Sequence, residues 1–132
     1  MPTLINIDTF PDIAASAEAK FPRYAEHMRA LHARRHETVR AAHEAGVRIY
    51  AGTDAGGSLA HGRIADEVLA LAAAGLPPAD ALSAATWAAR SWLGHDGLTE
   101  GAQADVVVYD ADPRADLDVL RAPARVVLRG VG

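Results

Sequence analysis

The sequence contains no cysteine, so disulfides and thiolate metal sites are excluded. It also has no apolar run of 18 residues, and we therefore expect no membrane-spanning helix and no membrane partner. The first residues include acidic side chains and lack a basic leader followed by an apolar core, which argues against a signal peptide. The default expectation from these absences is a cytoplasmic protein.

Basic charge is also scarce, with 13 Lys and Arg against 17 Asp and Glu in 132 residues. A nucleic-acid-binding surface would show a basic excess, so we expect no nucleic-acid partner. The arginines between Arg23 and Arg48 alternate with glutamates, as on a solvated helix face. Half of the residues are apolar and 23% are charged, a composition that suits an ordinary globular core.

One stretch has the pattern of a functional loop. A short apolar run, Val47 to Ala51, ends in Gly52-Thr53-Asp54-Ala55-Gly56-Gly57. Such a pattern predicts a buried strand that delivers Asp54 to the mouth of a site, because carboxylates at the carboxyl ends of strands project into such mouths. His61 follows and could face the same mouth. The alternatives are that Asp54 caps the next helix and that His61 hydrogen-bonds to its first turn.

Hydrophobic spacing predicts alternating strands and helices in residues 1–95. The segment 8–22 is predicted as a loop or short helix. The remaining predictions are a strand from Thr3 to Ile7, a helix from Arg23 to Ala45, the strand from Val47 to Ala51, a helix from Gly62 to Ala74, and a further helix that Pro77-Pro78 opens and Gly94 ends.

The tail differs in character from the preceding segment. Asp105 to Tyr109 and Arg125 to Leu128 predict two strands of a different sheet, with a helical turn at Leu117 to Leu120 between them. The sequence thus divides into two predicted domains, 1–95 and 96–132.

Other chemistries have weaker support. His32, His36 and His43 share a helical segment but extend over about 16 Å, too far to bind one ion together, so we interpret them as surface histidines. Ser58 and Ser83 are not in the G-x-S-x-G setting of a nucleophilic serine. The acidic turn from residue 110 to 118 lacks the glycine and the final glutamate of a calcium loop.

Several short motifs occur in an order that is more specific than any one of them. The order resembles the C-terminal third of the amidohydrolase superfamily, in the branch of imidazolonepropionase-like enzymes and related dipeptidases, over nearly the whole chain. The motifs are Pro2-Thr3-Leu4, Ala51-Gly52-Thr53-Asp54-Ala55-Gly56, His61-Gly62, Ala74-Gly75-Leu76-Pro77, Ala84-Ala85-Thr86, Gly97-Leu98-Thr99-Glu100-Gly101, Ala104-Asp105-Val106-Val107-Val108 and Asp112-Pro113.

The resemblance implies an α/β fold: the last two βα units of a TIM-type (β/α)8 barrel plus the C-terminal strands of a small β-sandwich. The barrel would be incomplete. Asp54 matches the family's metal ligand and proton shuttle after the eighth strand. His61 matches a histidine found near the substrate in this branch.

The sequence departs from the family in its metal ligands. The family's His-x-His motif does not occur in it, and of the family's ligands only Asp54 is present. Zinc requires three or four protein ligands. We therefore expect a divalent metal, zinc by resemblance, in the complete enzyme and none bound by this chain alone.

The resulting hypothesis is the C-terminal segment of a metal-dependent amidohydrolase that acts on C–N bonds of amides, cyclic amides or small peptides and is inactive by itself. It would need a complementing N-terminal barrel chain as its partner. The alternative is a non-catalytic α/β remnant that folds by self-association into a homo-oligomer, pairing its open strand edges.

Overall fold

The computed structural model describes residues 1–57, 59–95 and 97–131. Helices dominate these residues, and two short strands and a 3-10 helix follow them. The elements are α1 (Leu4–Ile7), α2 (Phe10–Ala17), α3 (Pro22–Glu44), α4 (Ile64–Ala73), α5 (Pro78–Ala85), α6 (Trp87–Trp92), β1 (Val106–Val108), the 3-10 helix (Leu117–Arg121) and β2 (Arg125–Val127).

The long helix and its neighbours end where the glycine pattern predicts. After α3, Gly46 adopts φ 78° and its N–H donates to the His43 carbonyl at 2.9 Å, while Val47 N–H donates to the Ala42 carbonyl at 3.0 Å. This pair of bonds satisfies carbonyls that the helix leaves free, and glycine reaches the required positive φ without steric cost. Equivalent bond pairs end α4 and α6.

The main core lies where α1, α4, α5 and the 3-10 helix meet. Its buried apolar side chains include Leu4, Val68, Leu71, Leu82 and Leu117. A second, smaller cluster joins α2 to α3. The segment 8–22 thus contains a helix, the second of the two options that its sequence left open.

The predicted strand from Thr3 to Ile7 is wrong, because Leu4–Ile7 is helical. Thr3 adopts φ 51° and starts the turn. The Glu67 carboxylate then accepts hydrogen bonds from the N–H groups of Leu4 (2.9 Å) and Ile5 (3.0 Å). These amides are donors that a helix start leaves unpaired, so the buried acid favours the helix over the strand that β-branched residues would suggest.

The predicted strand from Val47 to Ala51 is not assigned as a strand in the described residues either. The segment lies against the core through Ile49 and Ala51, and the Ala51 N–H donates to the Ala84 carbonyl at 2.9 Å. A β-ladder requires a neighbouring strand, and within the part of the chain that the structure describes the only strands are β1 and β2. The parallel sheet predicted for residues 1–95 is therefore not formed by these residues alone.

The third predicted helix is divided in two. Thr86 has φ −127° and ψ −110°, outside the helical region, and α5 ends before it while α6 begins after it. The Thr86 hydroxyl donates to the Leu82 carbonyl at 2.7 Å. A hydroxyl bonded to the preceding turn competes with the backbone ladder, which is a recurrent cause of bends and breaks.

The two strands of the tail are confirmed as a pair. β1 and β2 run antiparallel, with Val106 opposite Val127 and Val108 opposite Arg125.

Within the ranges described, no helix combines the length and apolar character needed to cross a bilayer.

Candidate functional site

Asp54 lies in the loop that follows segment 47–51. Its φ of 50° is in the left-handed region, which few residues other than glycine adopt but which Asp tolerates. The side chain is exposed, and its Oδ2 accepts a hydrogen bond of 2.8 Å from Asn6 Nδ2. The carboxylate is thus exposed to solvent, and the hydrogen bond from Asn6 holds one of its two oxygens.

The loop after Asp54 folds back so that His61 lies over Gly56. A Cβ added to Gly56 would be 3.6 Å from both Cε1 and Nε2 of the imidazole. The Gly56 N–H also donates to the Leu59 carbonyl at 3.0 Å, and Leu59 is buried. This turn places the exposed His61 ring against the loop that bears Asp54.

Neither residue caps the next helix. Helix α4 begins at Ile64 and its N-cap position is Arg63, where none of the described side chains accepts a capping hydrogen bond. The two capping alternatives considered for Asp54 and His61 are therefore wrong, and their side chains are left for other contacts.

Glu67 is the residue that sequence reasoning missed. It is fully buried, and its two oxygens bind the first amides of α1, which bears Asn6. Burial raises its pKa above the ordinary 4.5, although the bonds from Ile5 and Leu4 act in the opposite direction. The signal in the sequence is its position within the apolar stripe Ile64, Val68 and Leu71 of one helix.

The described residues do not make up a complete metal site. Within 1–57, 59–95 and 97–131, no three His, Cys, Asp or Glu side chains lie close enough together to hold an ion. Asp54 offers a carboxylate, a suitable ligand for zinc, but three protein ligands are needed even in open catalytic sites. A metal centre built around Asp54 would therefore need ligands beyond the residues that the structure describes.

Two of the α3 histidines, His32 and His43, have acidic neighbours instead. His32 Nε2 lies 3.5 Å from Asp8 Oδ1, which also pairs with Arg35 Nε at 2.7 Å. His43 Nε2 lies 3.4 Å from Asp80 Oδ2. These contacts agree with the interpretation of separate histidines along a helix surface.

Two concave regions lie away from Asp54. A cleft of about 300 Å³ between α3 and α5 is lined by His43, Tyr50 and Asp80, among others. A larger groove of about 930 Å³ separates α4, α5 and α6 from β1 and is mainly apolar, with Val68, Leu82 and Trp87 on its walls. Asp54 and His61 line neither region.

The chain belongs to the amidohydrolase family, whose family model matches residues 13–131. The resemblance inferred from the motifs is thereby confirmed. Members of this family are generally metal-dependent hydrolases.

Among similar proteins are uncharacterized proteins of Mycobacterium tuberculosis and Mycobacterium bovis. Each is 54% identical to this chain over 130 residues, which are 98% of this chain and 35% of the relative. The chain therefore spans about one third of the length of the curated relatives that it matches.

This chain also matches about one third of the length of two solved structures. A protein named "putative prolidase" from Bifidobacterium longum superposes with a TM-score of 0.74 and 37% identity over 82% of this chain and 28% of its own. A Xaa-Pro dipeptidase with methionine bound in its active site superposes with a TM-score of 0.76 and 26% identity over 95% of this chain and 32% of its own.

Proposed function

We propose that this chain is the C-terminal catalytic segment of a metal-dependent amidohydrolase that cleaves C–N bonds in small amides or peptides. The observation that carries the proposal is the placement of Asp54. Its carboxylate is exposed in a loop with His61 beside it, within a chain that aligns over 98% of its length with only 35% of its relatives. The other metal ligands belong to polypeptide equivalent to the remaining two thirds.

Asp54 has two roles in the proposed site. Its carboxylate contributes one ligand, and it takes the proton of the attacking water and passes it to the leaving nitrogen, as a general base and then a general acid. His61 contacts the substrate, and the turn from Gly52 to Gly57 shapes the mouth between them. A bound ion, zinc in our proposal, would polarise the carbonyl and the water.

Similarity to a Xaa-Pro dipeptidase supports a dipeptide as substrate. An amide bond to a proline nitrogen is a C–N bond of the proposed class. The polypeptide equivalent to the other two thirds of the relatives would form most of the walls that distinguish one substrate side chain from another. Xaa-Pro dipeptides are therefore the first substrates to test.

The experiment is reconstitution. The other two thirds of the Mycobacterium tuberculosis relative, fused to or coexpressed with this chain and loaded with zinc, should hydrolyse Xaa-Pro dipeptides or related amides. Asp54→Asn should lower kcat by about 100-fold or more, because loss of a general acid–base typically costs that much. The matched control is Asp110→Asn, a change at an exposed aspartate of the tail.

Activity that survives Asp54→Asn unchanged would remove Asp54 from the chemistry. The intact relative, carried through the same assays, shows which substrates the native combination accepts. Metal content of the wild-type and Asp54→Asn complexes separates loss of the ion from loss of proton transfer.

Exposed apolar surface supports a second candidate function, a non-catalytic remnant that associates with itself. Trp87, Trp92, Leu93 and Leu98 are 51%, 57%, 61% and 90% exposed. Large apolar side chains left in water favour association with another surface. Light scattering on the purified, metal-free chain tests this candidate. A stable dimer that persists after the complementing two thirds is added favours the remnant.

A further inference from the structure

Asn6 and Asp54 are 48 positions apart in the sequence and joined by one hydrogen bond. The Asn6 Nδ2 donates to Asp54 Oδ2 at 2.8 Å. A hydrogen bond to an ionised carboxylate is stronger than one between neutral groups. It restricts the rotation of the carboxylate, and no side chain or backbone group among the described residues forms a hydrogen bond with Oδ1.

The backbone of Asn6 is held on both sides. Its N–H donates to the Thr3 carbonyl at 3.0 Å, and its carbonyl accepts from the N–H (3.0 Å) and the hydroxyl (2.8 Å) of Thr9. The helix itself is attached to α4 through the bonds from Leu4 and Ile5 to the fully buried Glu67. Asn6 therefore presents its amide from a fixed position.

Asp54, by contrast, lies in a loop. Its left-handed backbone conformation is less favourable than the usual regions and persists only where surrounding contacts favour it. The carboxylate bond from Asn6 is such a contact. The rigid partner is thus Asn6, and the residue that is oriented is Asp54.

We propose that Asn6 is the positioning residue of Asp54: it holds Oδ2 so that Oδ1 is left to take the proton of the reacting water. The contact is a feature of this chain by itself, whereas its effect on turnover rests on the proposed function. Residues that orient a ligand through a hydrogen bond typically change metal affinity or activity by 10-fold to 100-fold when removed.

The first test needs no activity. In ¹⁵N–¹H spectra of the purified chain, the two side-chain N–H signals of Asn6 should be well separated, with one shifted downfield by its bond to the carboxylate. Asp54→Ala should remove that shift, and the matched Asp110→Ala should leave it. Asn6 signals that are the same in wild type and Asp54→Ala would overturn the proposal whatever the chain catalyses.

The second test uses the reconstituted enzyme. Asn6→Leu, which keeps the size and removes the donor, should lower kcat by 10-fold to 100-fold with KM nearly unchanged. Asn6→His, whose Nδ1–H can occupy the position of the amide, should recover part of the loss. A merely structural defect would lower the amount of folded enzyme in both variants alike.

The two ways of failing are distinguishable. An active enzyme in which Asn6→Leu keeps full kcat contradicts the role of Asn6 and leaves the proposed function standing. A reconstituted enzyme that is inactive, or one that is indifferent to Asp54→Asn, contradicts the proposed function, and the spectra of the isolated chain still decide the contact.

Discussion

At the scale of single residues, the buried Glu67 has the clearest consequences. Both of its oxygens accept backbone hydrogen bonds, and its side chain is removed from water. Glutamine at this position would offer only one acceptor oxygen. Its NH2 group, which cannot accept a hydrogen bond, would face the second backbone N–H. A buried donor left without a partner costs about 1–3 kcal/mol.

We therefore expect Glu67→Gln to lower the free energy of unfolding by about 1–3 kcal/mol near pH 4.5. Chemical denaturation followed by circular dichroism measures it. Glu26→Gln, at an exposed position of α3, is the matched control and should change the stability little. Equal stability of wild type and Glu67→Gln would mean that the two amide bonds contribute nothing net.

The raised pKa of Glu67 adds a pH dependence with a definite sign. The folded state keeps this proton at pH values where the unfolded state, with a pKa near 4.5, has lost it. The contribution of Glu67 to stability is thus complete below 4.5 and is lost as the pH rises through the folded pKa.

The difference in unfolding free energy between wild type and Glu67→Gln should therefore shrink as the pH is raised above 4.5. The same denaturation series, repeated at several pH values, measures this trend, because the other ionisable groups cancel between the two proteins. A difference that grows with pH would show that the hydrogen bonds from Leu4 and Ile5 outweigh the effect of burial on the pKa.

At the scale of elements, the glycines that follow two helices allow two costs of adding a Cβ to be separated: backbone strain and steric crowding. Gly46 and Gly75 follow α3 and α4 and both adopt positive φ, 78° and 109°. A Cβ on Gly46 would meet nothing within 4 Å, whereas one on Gly75 would lie 3.0 Å from Arg40 Cδ. Alanine is thus strained at both positions and crowded at one.

We expect Gly46→Ala to destabilise the chain by about 1–2 kcal/mol, the cost of a left-handed conformation for a residue with a Cβ. Gly75→Ala should cost as much or slightly more, since the Arg40 side chain is flexible and can move aside. Thermal unfolding measures both. Gly97→Ala, at a glycine without positive φ and with open space around it, is the control.

At the scale of the whole molecule, the exposed tryptophans report on assembly. Trp87 and Trp92 are the two tryptophans of the chain, both more than half exposed, and Trp92 stacks on Tyr50 with ring centroids 4.9 Å apart. If the complementing two thirds covers both tryptophans, both indoles change environment.

Incorporation of 5-fluorotryptophan into this chain alone should give two ¹⁹F signals, both of which shift when the unlabelled complementing part is added. A shift caused by concentration of the labelled chain alone would instead indicate self-association. Signals that remain unchanged while activity appears would show that both tryptophans stay outside the interface.

Much of the local structure and the family could be predicted from the sequence. Three features depend on residues close together in the chain and can therefore be predicted from the sequence. They are the apolar stripe and terminal glycine of α3, the valine-rich runs of β1 and β2, and the order of motifs around Asp54. Family membership followed from that order and is confirmed.

Only the tertiary structure decided the rest. Thr3 to Ile7 looks like a strand until Glu67, 63 positions after Leu4, supplies the acceptors for a helix start. Val47 to Ala51 has the composition of a strand, but pairing needs a neighbour that the described residues do not provide. The bond between Asn6 and Asp54 has the same origin: local sequence sets propensity, whereas contacts between distant residues determine which hydrogen bonds are made.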